Sequence, residues 1–448
     1  MRKELYEGYF KDKKVTVMGL GLLGRGVGDT AFLARHGARL IVTDKKTQES
    51  LSSSLEALES YHSISFVLGE HRKEDFKDRD YILKSAGVPY DSEYTEYAKS
   101  NHVPIYMSAA LMSGIVMKHL ESATIIGVTG TRGKSTVTQL IAHILKSSNV
   151  KVHLGGNVRG VANLPLLESI DDGDFLVLEL DSWQLQGFGD MKISPHIAVF
   201  TSFLDDHMNY YHNDKELYFN DKANIYRNQQ EYDALIASPQ AFEEIHARDK
   251  DIHAIVPENH HFEMKLIGEH NQVAARLAYE VSLQCGLHDE EIKNAIASFE
   301  AVEGRLEDLG LFTEKNIHVF NDNNATTPDA TIAAINAIVE NYNKKPILII
   351  GGTDKGLSLS LLEEAIHSKT KDVVYLSGTG TNTLTLPKKY EYEDLKDCVE
   401  KAFSLGEEGD VILFSPAFAS YSKYFNNEYE RNDTFVKVIN SKKYDTNI

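Results

Sequence analysis

Two glycine-rich stretches hold the residues whose types and spacing could do chemistry. The first to consider is Gly127-Val128-Thr129-Gly130-Thr131-Arg132-Gly133-Lys134-Ser135-Thr136. Backbone amides of such a loop, opening a helix, can hold the phosphates of ATP. Lys134 would neutralise β/γ-phosphate charge, and Ser135 or Thr136 would offer a hydroxyl to Mg²⁺. The stretch departs from a strict G-x-x-x-x-G-K-[ST] in having Val128 where the first glycine is required. The other stretch, Gly19-Leu20-Gly21-Leu22-Leu23-Gly24, matches G-x-G-x-x-G, and Asp44 follows Gly24 by 20 residues. Glycines there let the backbone approach a diphosphate, and the acid can bind a ribose hydroxyl. Alone this pattern favours an NAD enzyme. It does not separate NAD from a UDP-sugar, and a purely structural turn is the alternative.

Both loops need a strand before them and a helix behind. Lys14–Met18 reads as a short buried strand, Arg25–His36 as the helix that Gly37 ends, and Arg39–Val42 as the next strand. Thr124–Val128 reads as the strand of the second unit, and Ser135–Lys146 as its helix, with Val137, Leu140, Ile141 and Ile144 on one face. Tyr81–Lys84, Phe175–Leu180, His196–Phe200, Ile317–Phe320, Pro346–Ile350, Asp372–Leu376 and Asp410–Phe414 read as strands; Asn271–Cys285 and Glu290–Phe299 read as helices; Glu231–His270 reads as irregular. This alternation predicts an α/β chain with mostly parallel sheets. Three domains are expected: a Rossmann-like N-terminal domain over 1–120, a central P-loop ATPase-like domain with a parallel or mixed sheet over 121–306, and a Rossmann-like C-terminal domain over 307–448.

Composition agrees. A chain of 448 residues carries a prior of about three domains. Apolar residues at 42% and charged residues at 25% exclude a disordered or fibrous chain. A net charge of −19 disfavours nucleic acid as a partner, though a nucleotide can still bind local amides and cations. Cys285 and Cys398 offer no zinc cluster and no disulfide framework. The start lacks a signal-peptide pattern, and no segment approaches the ~18 apolar residues of a membrane span. A cytoplasmic protein with no membrane partner, acting as a monomer, is the expectation.

The loop Gly127–Thr136, read as T-G-T-x-G-K-[ST], resembles the ATP loop of the Mur ligase family, the amino-acid-adding enzymes of peptidoglycan synthesis. Further resemblances follow in order. Val177-Leu178-Glu179-Leu180-Asp181-Ser182-Trp183-Gln184-Leu185 is similar to V-x-E-x-S-S-F-Q-L, and Asp205-Asp206-His207-Met208-Asn209 to the D-H-x-D segment. Asp221-Lys222-Ala223-Asn224 resembles the segment carrying the family's modified lysine; Gly268-Glu269-His270-Asn271 resembles G-x-H-N, and Arg305-Leu306-Glu307 resembles H-R-x-E. Asn321-Asp322-Asn323-Asn324-Ala325-Thr326-Thr327 and Ser415-Pro416-Ala417-Phe418-Ala419-Ser420 are similar to N-D-S-K-A-T-N and S-P-A-C-A-S, motifs of members that add D-glutamate.

The resemblance implies ATP-dependent amide formation. The γ-phosphoryl group passes to a substrate carboxylate, an amine attacks the acyl phosphate, and phosphate leaves. It implies UDP-N-acetylmuramoyl-L-alanine and glutamate as substrates. Gly130 to Thr136, including Thr131, Arg132 and Gly133, would hold ATP; Asn271 would read the adenine edge (an N-cap is the alternative), Arg305 would reach the phosphates and Asp322 the ribose. Ser135, Glu179 and His207 would hold Mg²⁺. Lys222 would be carbamylated and hold a second ion; without the resemblance it reads as a helix lysine on a solvated face. Leu22, Leu23, Asp44 and Lys45 would line a uridine pocket, Ser85 to Gly87 would approach the diphosphate, and Asn157 would hold the muramoyl group. Thr326, Lys355 and Ser420 would bind the glutamate. Closure of three domains around one cleft is implied too.

The match is not complete. Asn324 stands in place of lysine, Gly304 of histidine, Asp181 of serine, Trp183 of phenylalanine and Arg132 of asparagine, and the spacing over Tyr421–Asn427 has one extra residue. Losing a cation at 324 weakens the case for an acidic amino acid. The alternatives are a sister ligase adding L-glutamate or another amino acid and, outside ligases, an NAD-dependent oxidoreductase or a regulator without catalysis.

Overall fold

The computed structural model describes all residues except Leu23, Tyr90, Thr313, Glu314, Ser422, Lys423, Asn426 and 445–448, and the side chains of Lys443 and Tyr444. The role expected of Leu23 lies outside the described residues. The chain forms two compact units, Met1–Asn259 with Arg276–Ile292, and His260–Ala275 with Lys293–Ile448.

The first unit carries two five-stranded sheets. In one, β1 (Lys14–Met18), β2 (Arg39–Asp44), β3 (Ile64–Leu68), β4 (Tyr81–Lys84) and β5 (Ile105–Tyr106) run parallel in the order β3-β2-β1-β4-β5. In the other, β6 (Thr124–Thr129), β7 (Val152–Gly156), β8 (Phe175–Glu179), β9 (Ile197–Phe200) and β10 (Ala234–Ala237) run parallel in the order β10-β9-β6-β8-β7. One apolar cluster joins them, from Phe10 and Phe32 through Leu111 to Leu178 and Phe219.

The second unit carries β11 (Glu307–Phe312), β12 (Ile317–Asn321), β13 (Ile347–Gly351), β14 (Asp372–Leu376), β15 (Glu391–Tyr392) and β16 (Val411–Phe414), in the order β11-β12-β16-β13-β14-β15. Only β11 is antiparallel among them. Along β13, Ile347 and Ile349 face one apolar cluster and Leu348 and Ile350 the other, the two-residue period of a strand. Both faces are therefore covered, as parallel strands require.

Gly37 follows the helix Arg25–Arg35 at φ +81°, the left-handed position that glycine adopts at low cost. The stretch read as irregular, Glu231–His270, is partly regular: it holds β10 and a helix, Pro239–Arg248. Ser238 caps that helix by accepting from Ala241 N at 3.1 Å, with proline in the first turn. Four residues, Ala-Leu-Ile-Ala, are too few to show a period. The edge strands β3, β5, β7, β11 and β15 were not anticipated either; β3 and β11 are largely half-exposed.

Candidate active site

In each sheet the loops that leave the C-terminal ends of adjacent strands meet, the usual place for a ligand in an open α/β sheet. In the middle sheet β6 lies between β8 and β9, so three loops converge. Gly130 has φ +143° and approaches β9 closely: a Cβ there would lie 2.0 Å from Thr201 Oγ1 and 2.7 Å from Ser202 N, so only glycine fits. Thr131 N donates to Ser202 O at 2.7 Å, and Leu204 N donates to Thr131 Oγ1 at 2.9 Å. Gly133, at φ +83°, opens the helix Lys134–Ser147 with no side-chain cap among the described residues, and a helix N-terminus of this kind suits a phosphate.

Two lysines reach one oxygen here. Lys134 Nζ donates to Gly130 O at 3.0 Å and Thr131 O at 3.2 Å, and Lys222 Nζ donates to Gly130 O at 2.9 Å. Lys222 is 1% exposed. The solvated-face reading of this residue is therefore wrong: the helix Lys215–Ala223 turns it inward, its ammonium 4.8 Å from the Tyr218 ring. Burial, reinforced by the charge of Lys134, holds its pKa well below the ordinary lysine range.

The acids and the imidazole come from the flanking loops. Glu179 ends β8 and is buried. Arg132 N donates to Ser202 Oγ at 2.8 Å, and its guanidinium pairs with Asp206 Oδ2 at 2.9 Å. Asp206 Oδ1 in turn accepts from His207 N at 2.9 Å. The Trp183 ring lies 4.8 Å from the His207 ring. Among the described residues no group of three or more His, Cys, Asp or Glu side chains forms a metal cage. Glu179, His207 and the Ser135 hydroxyl are donor types that suit Mg²⁺, which is held by few protein ligands together with water and phosphate oxygens.

In the first sheet the loops after β1 and β4 meet: a Cβ on Gly19 would lie 3.1 Å from Ser85 Cβ. A cavity of ≈ 110 Å³ opens there, lined by Arg25, Asp29, Lys84, Ser85, Gly87 and Gln184 among others. Arg25 donates to Asn157 Oδ1. Buried Lys84 donates to Val88 O at 2.8 Å, and burial pulls its pKa to about 8. Asp29 accepts from Leu164 N at 2.8 Å, and burial raises its pKa to about 6. Asp44 behaves differently from expectation. Its Oδ2 accepts from Leu20 N at 2.9 Å and Gly21 N at 3.2 Å, and its Oδ1 from Lys46 N at 2.9 Å, so the carboxylate braces the glycine loop. Leu22 and Lys45 are exposed beside it. Arg25, Asp29 and Lys84 were missed by sequence reasoning. A lysine ending the otherwise apolar strand Tyr81-Ile82-Leu83-Lys84 was the available signal.

In the second unit β16 lies between β12 and β13, and their three loops interlock. Asp322 accepts from Leu306 N at 3.1 Å and Ser415 Oγ at 2.9 Å. Burial raises its pKa to about 7. Lys355 Nζ donates to Thr326 Oγ1 at 3.3 Å, so two expected amino-acid contacts touch. Ser420 is buried at the end of the third loop. Arg305 N donates to Val302 O at 2.9 Å. Asn271 Nδ2 donates to Ile267 O at 2.8 Å, and burial pushes His270 down to about 4.

Four of the departures have local reasons. Asp181 caps the helix Ser182–Met191 in a capping box with Gln184, accepting from Gln184 N at 2.8 Å. Arg132 answers Asp206. Gly304 and Asn324 are one change rather than two: Asn324 N donates to Gly304 O at 3.0 Å, and a Cβ on Gly304 would lie 3.1 Å from Asn324 Nδ2.

Family models match in two places: a Mur ligase middle domain over residues 128–241 and a Mur ligase MurD-like N-terminal domain over 13–107. The UDP-N-acetylmuramoylalanine--D-glutamate ligase of Borreliella afzelii is 31% identical, covering 96% of this chain and 98% of that relative. The ligase of the same name from Roseiflexus sp. is also 31% identical over 96% of this chain and 98% of its own. Among solved structures, the MurF ligase of Thermotoga maritima in complex with ADP superimposes with a TM-score of 0.62 at 15% identity, covering 99% of this chain and 100% of that one. Nothing in these comparisons supports an oxidoreductase.

Proposed function

The chain belongs to the Mur ligase family, the ATP-dependent amide ligases, and from that premise we propose that it joins D-glutamate to UDP-N-acetylmuramoyl-L-alanine in peptidoglycan precursor synthesis. The muramoyl-alanine carboxylate takes the γ-phosphoryl group of ATP, the amine of glutamate attacks the acyl phosphate, and phosphate leaves. Lys134 and the amides of Gly130 to Thr136 hold the β/γ-phosphates; Asn271, Arg305 and Asp322 serve the rest of the nucleotide. Ser135, Glu179 and His207 would hold Mg²⁺, which when bound neutralises phosphate charge. Asn157, Ser85 and Gly87 serve the muramoyl and diphosphate groups, Leu22 and Lys45 the uridine beside the loop that Asp44 braces, and Thr326, Lys355 and Ser420 the glutamate.

The observation that carries this reading is the convergence of Lys134 and buried Lys222 on Gly130 O, 3.0 and 2.9 Å away. Two ammonium groups on one carbonyl oxygen repel, which favours an uncharged Lys222. An uncharged amine can add to CO₂ with loss of a proton. The resulting carbamate anion would hold a second Mg²⁺ and remove the repulsion. Mass spectrometry of Lys222 in bicarbonate tests this step; an unmodified, ordered amine beside bound ATP refutes it.

The whole reading is tested by phosphate release with ATP, Mg²⁺, UDP-N-acetylmuramoyl-L-alanine and a panel of amino acids. Release that requires the nucleotide-sugar and D-glutamate together is expected. The carboxamide at Asn324 favours one second reading, a sister ligase taking L-glutamate or another amino acid, and the same panel separates the two.

A further inference from the structure

Arg431, on the helix Glu428–Tyr444, is fully buried. Its guanidinium meets oxygens from three loops. Nε donates to Asn323 Oδ1 and one terminal nitrogen to Asn323 O, both at 2.8 Å. The other terminal nitrogen donates to Phe418 O at 3.3 Å and approaches Gly351 O at 3.5 Å. These loops leave β12, β16 and β13, which are neighbours in the sheet. Among the described residues every hydrogen bond of Arg431 goes to an amide or backbone oxygen. Burial lowers its pKa to about 9, opposed by the charge of Glu428, so the cation persists at neutral pH.

The peptide planes that follow Asn323 O and Phe418 O are held by further hydrogen bonds. Asn324 N donates to Gly304 O at 3.0 Å; Ala419 N donates to Thr353 O at 3.0 Å and Thr353 N returns a bond to Ala419 O at 2.8 Å. Ala417 between them sits at φ +63°, a strained conformation for a residue with a Cβ that persists only when its surroundings enforce it. Thr326, Lys355 and Ser420 ride on these same loops. Only a planar fork of donors can span three loops at once; a lysine ammonium is a point charge.

We infer that Arg431 is a positioning residue for the amino-acid subsite: its fork clamps the loops after β12, β13 and β16, and so fixes where Lys355 and Ser420 meet the carboxylates of an acidic amino acid. This rests on the ligase reading above and names a residue that acts through others. Its charge also adds a fixed positive field beneath the subsite, where Asn324 supplies none.

The experiment uses the full-length chain and its Arg431→Lys, Arg431→Ala and Asn323→Ala variants. Phosphate release is measured with ATP, Mg²⁺ and UDP-N-acetylmuramoyl-L-alanine at varied D-glutamate and D-glutamine, and UDP-N-acetylmuramoyl-L-alanine binding is measured separately by calorimetry. Arg431→Lys is expected to raise the KM for D-glutamate by roughly 10-fold or more, with kcat within a few-fold, as loosened positioning predicts. Its preference for D-glutamate over D-glutamine is expected to fall, and its nucleotide-sugar Kd to stay unchanged. Millimolar guanidinium is expected to restore the KM of Arg431→Ala. Asn323→Ala removes one acceptor, shifts KM the same way by less, and carries the test if Arg431→Ala does not fold. A fall in kcat with KM unchanged, or an equal loss of nucleotide-sugar affinity, overturns the inference. If the unaltered chain releases phosphate with no amino acid at all, the ligase reading itself fails, a result visible before any variant is made.

Discussion

Around Gly130 two lysines reach one carbonyl; around Asn323 one arginine reaches three loops. Both places are built alike, from loops leaving three adjacent parallel strands, yet charge is used differently. In the proposed phosphate cradle the two lysine amines are point donors to loop carbonyls, and burial draws Lys222 toward its uncharged form. In the second unit the buried cation is committed to the scaffold, and Lys355, the proposed ligand contact, rests on Thr326. The proposed cradle rests on separate amine contacts; the loop cluster is a shape held by one cation.

The acids differ in the same sense, and that yields the largest expected effect. Asp206 faces Arg132 at 2.9 Å, whereas the oxygens of Asp322 accept from a backbone amide and a serine hydroxyl, and burial outweighs the more distant charge of Arg305. Its pKa rises from 3.8 to about 7. Between those values the folded chain keeps a proton that the unfolded chain has released. Stability therefore falls as pH rises from about 4 to 7, by about 4 kcal/mol at ~1.4 kcal/mol per pH unit. Asp322→Asn cannot ionise, so its stability relative to the unaltered chain is expected to improve steadily over that window in urea titrations. Parallel curves would show that Asp322 is ionised in the fold and would erase the contrast with Asp206.

Next in size is the cradle itself. Lys134→Ala is expected to lower turnover by on the order of 10², about 3 kcal/mol of barrier, with little change in the unfolding midpoint, because the group serves the ligand more than the scaffold. Near-normal phosphate release would break that half of the comparison. In the loop cluster the expected loss is in stability instead. Gly304→His adds a Cβ 2.9 Å from Asn432 Oδ1 and 3.1 Å from Asn324 Nδ2, at φ +67°, and should cost about 1–3 kcal/mol in denaturant titration. Adding Asn324→Ala relieves one contact and should recover part of it. A neutral Gly304→His would mean that these loops yield rather than hold.

The difference between the regions also decided what could be read from sequence. The cradle is contiguous, so Gly127 to Thr136 could be placed on a strand, a loop and a helix directly, and β1, β4 and the helix after Gly133 fell within a residue or two of expectation. Lys222 reads from its charge as solvated, yet Tyr218 and Phe219, four and three residues before it on the helix Lys215–Ala223, share its buried face. Arg431 was invisible for another reason: its partners lie 108 and 13 residues away, and nothing local distinguishes it from an exposed helix arginine. Asp44 was read for its type and spacing, but whether an acid meets a ligand or its own loop amides is a matter of tertiary geometry.

The smallest effect bears on how tightly the cradle's edge is determined. Trp183 packs on His207 and Tyr210 with centroids 4.8 and 5.2 Å away, and among the described residues its buried Nε1 has no hydrogen-bond partner. A phenylalanine there keeps a ring against both neighbours and removes a donor that gains nothing from burial. The lost ring area and the relieved donor oppose each other, so Trp183→Phe should change stability by less than about 1 kcal/mol and turnover by no more than a few-fold. Should turnover instead fall as far as in Lys134→Ala, the indole is fixing His207 in a way a smaller ring cannot. The cradle would then depend on rigid packing as much as the loop cluster does, and the distinction between a site held by charge and one held by shape would no longer stand.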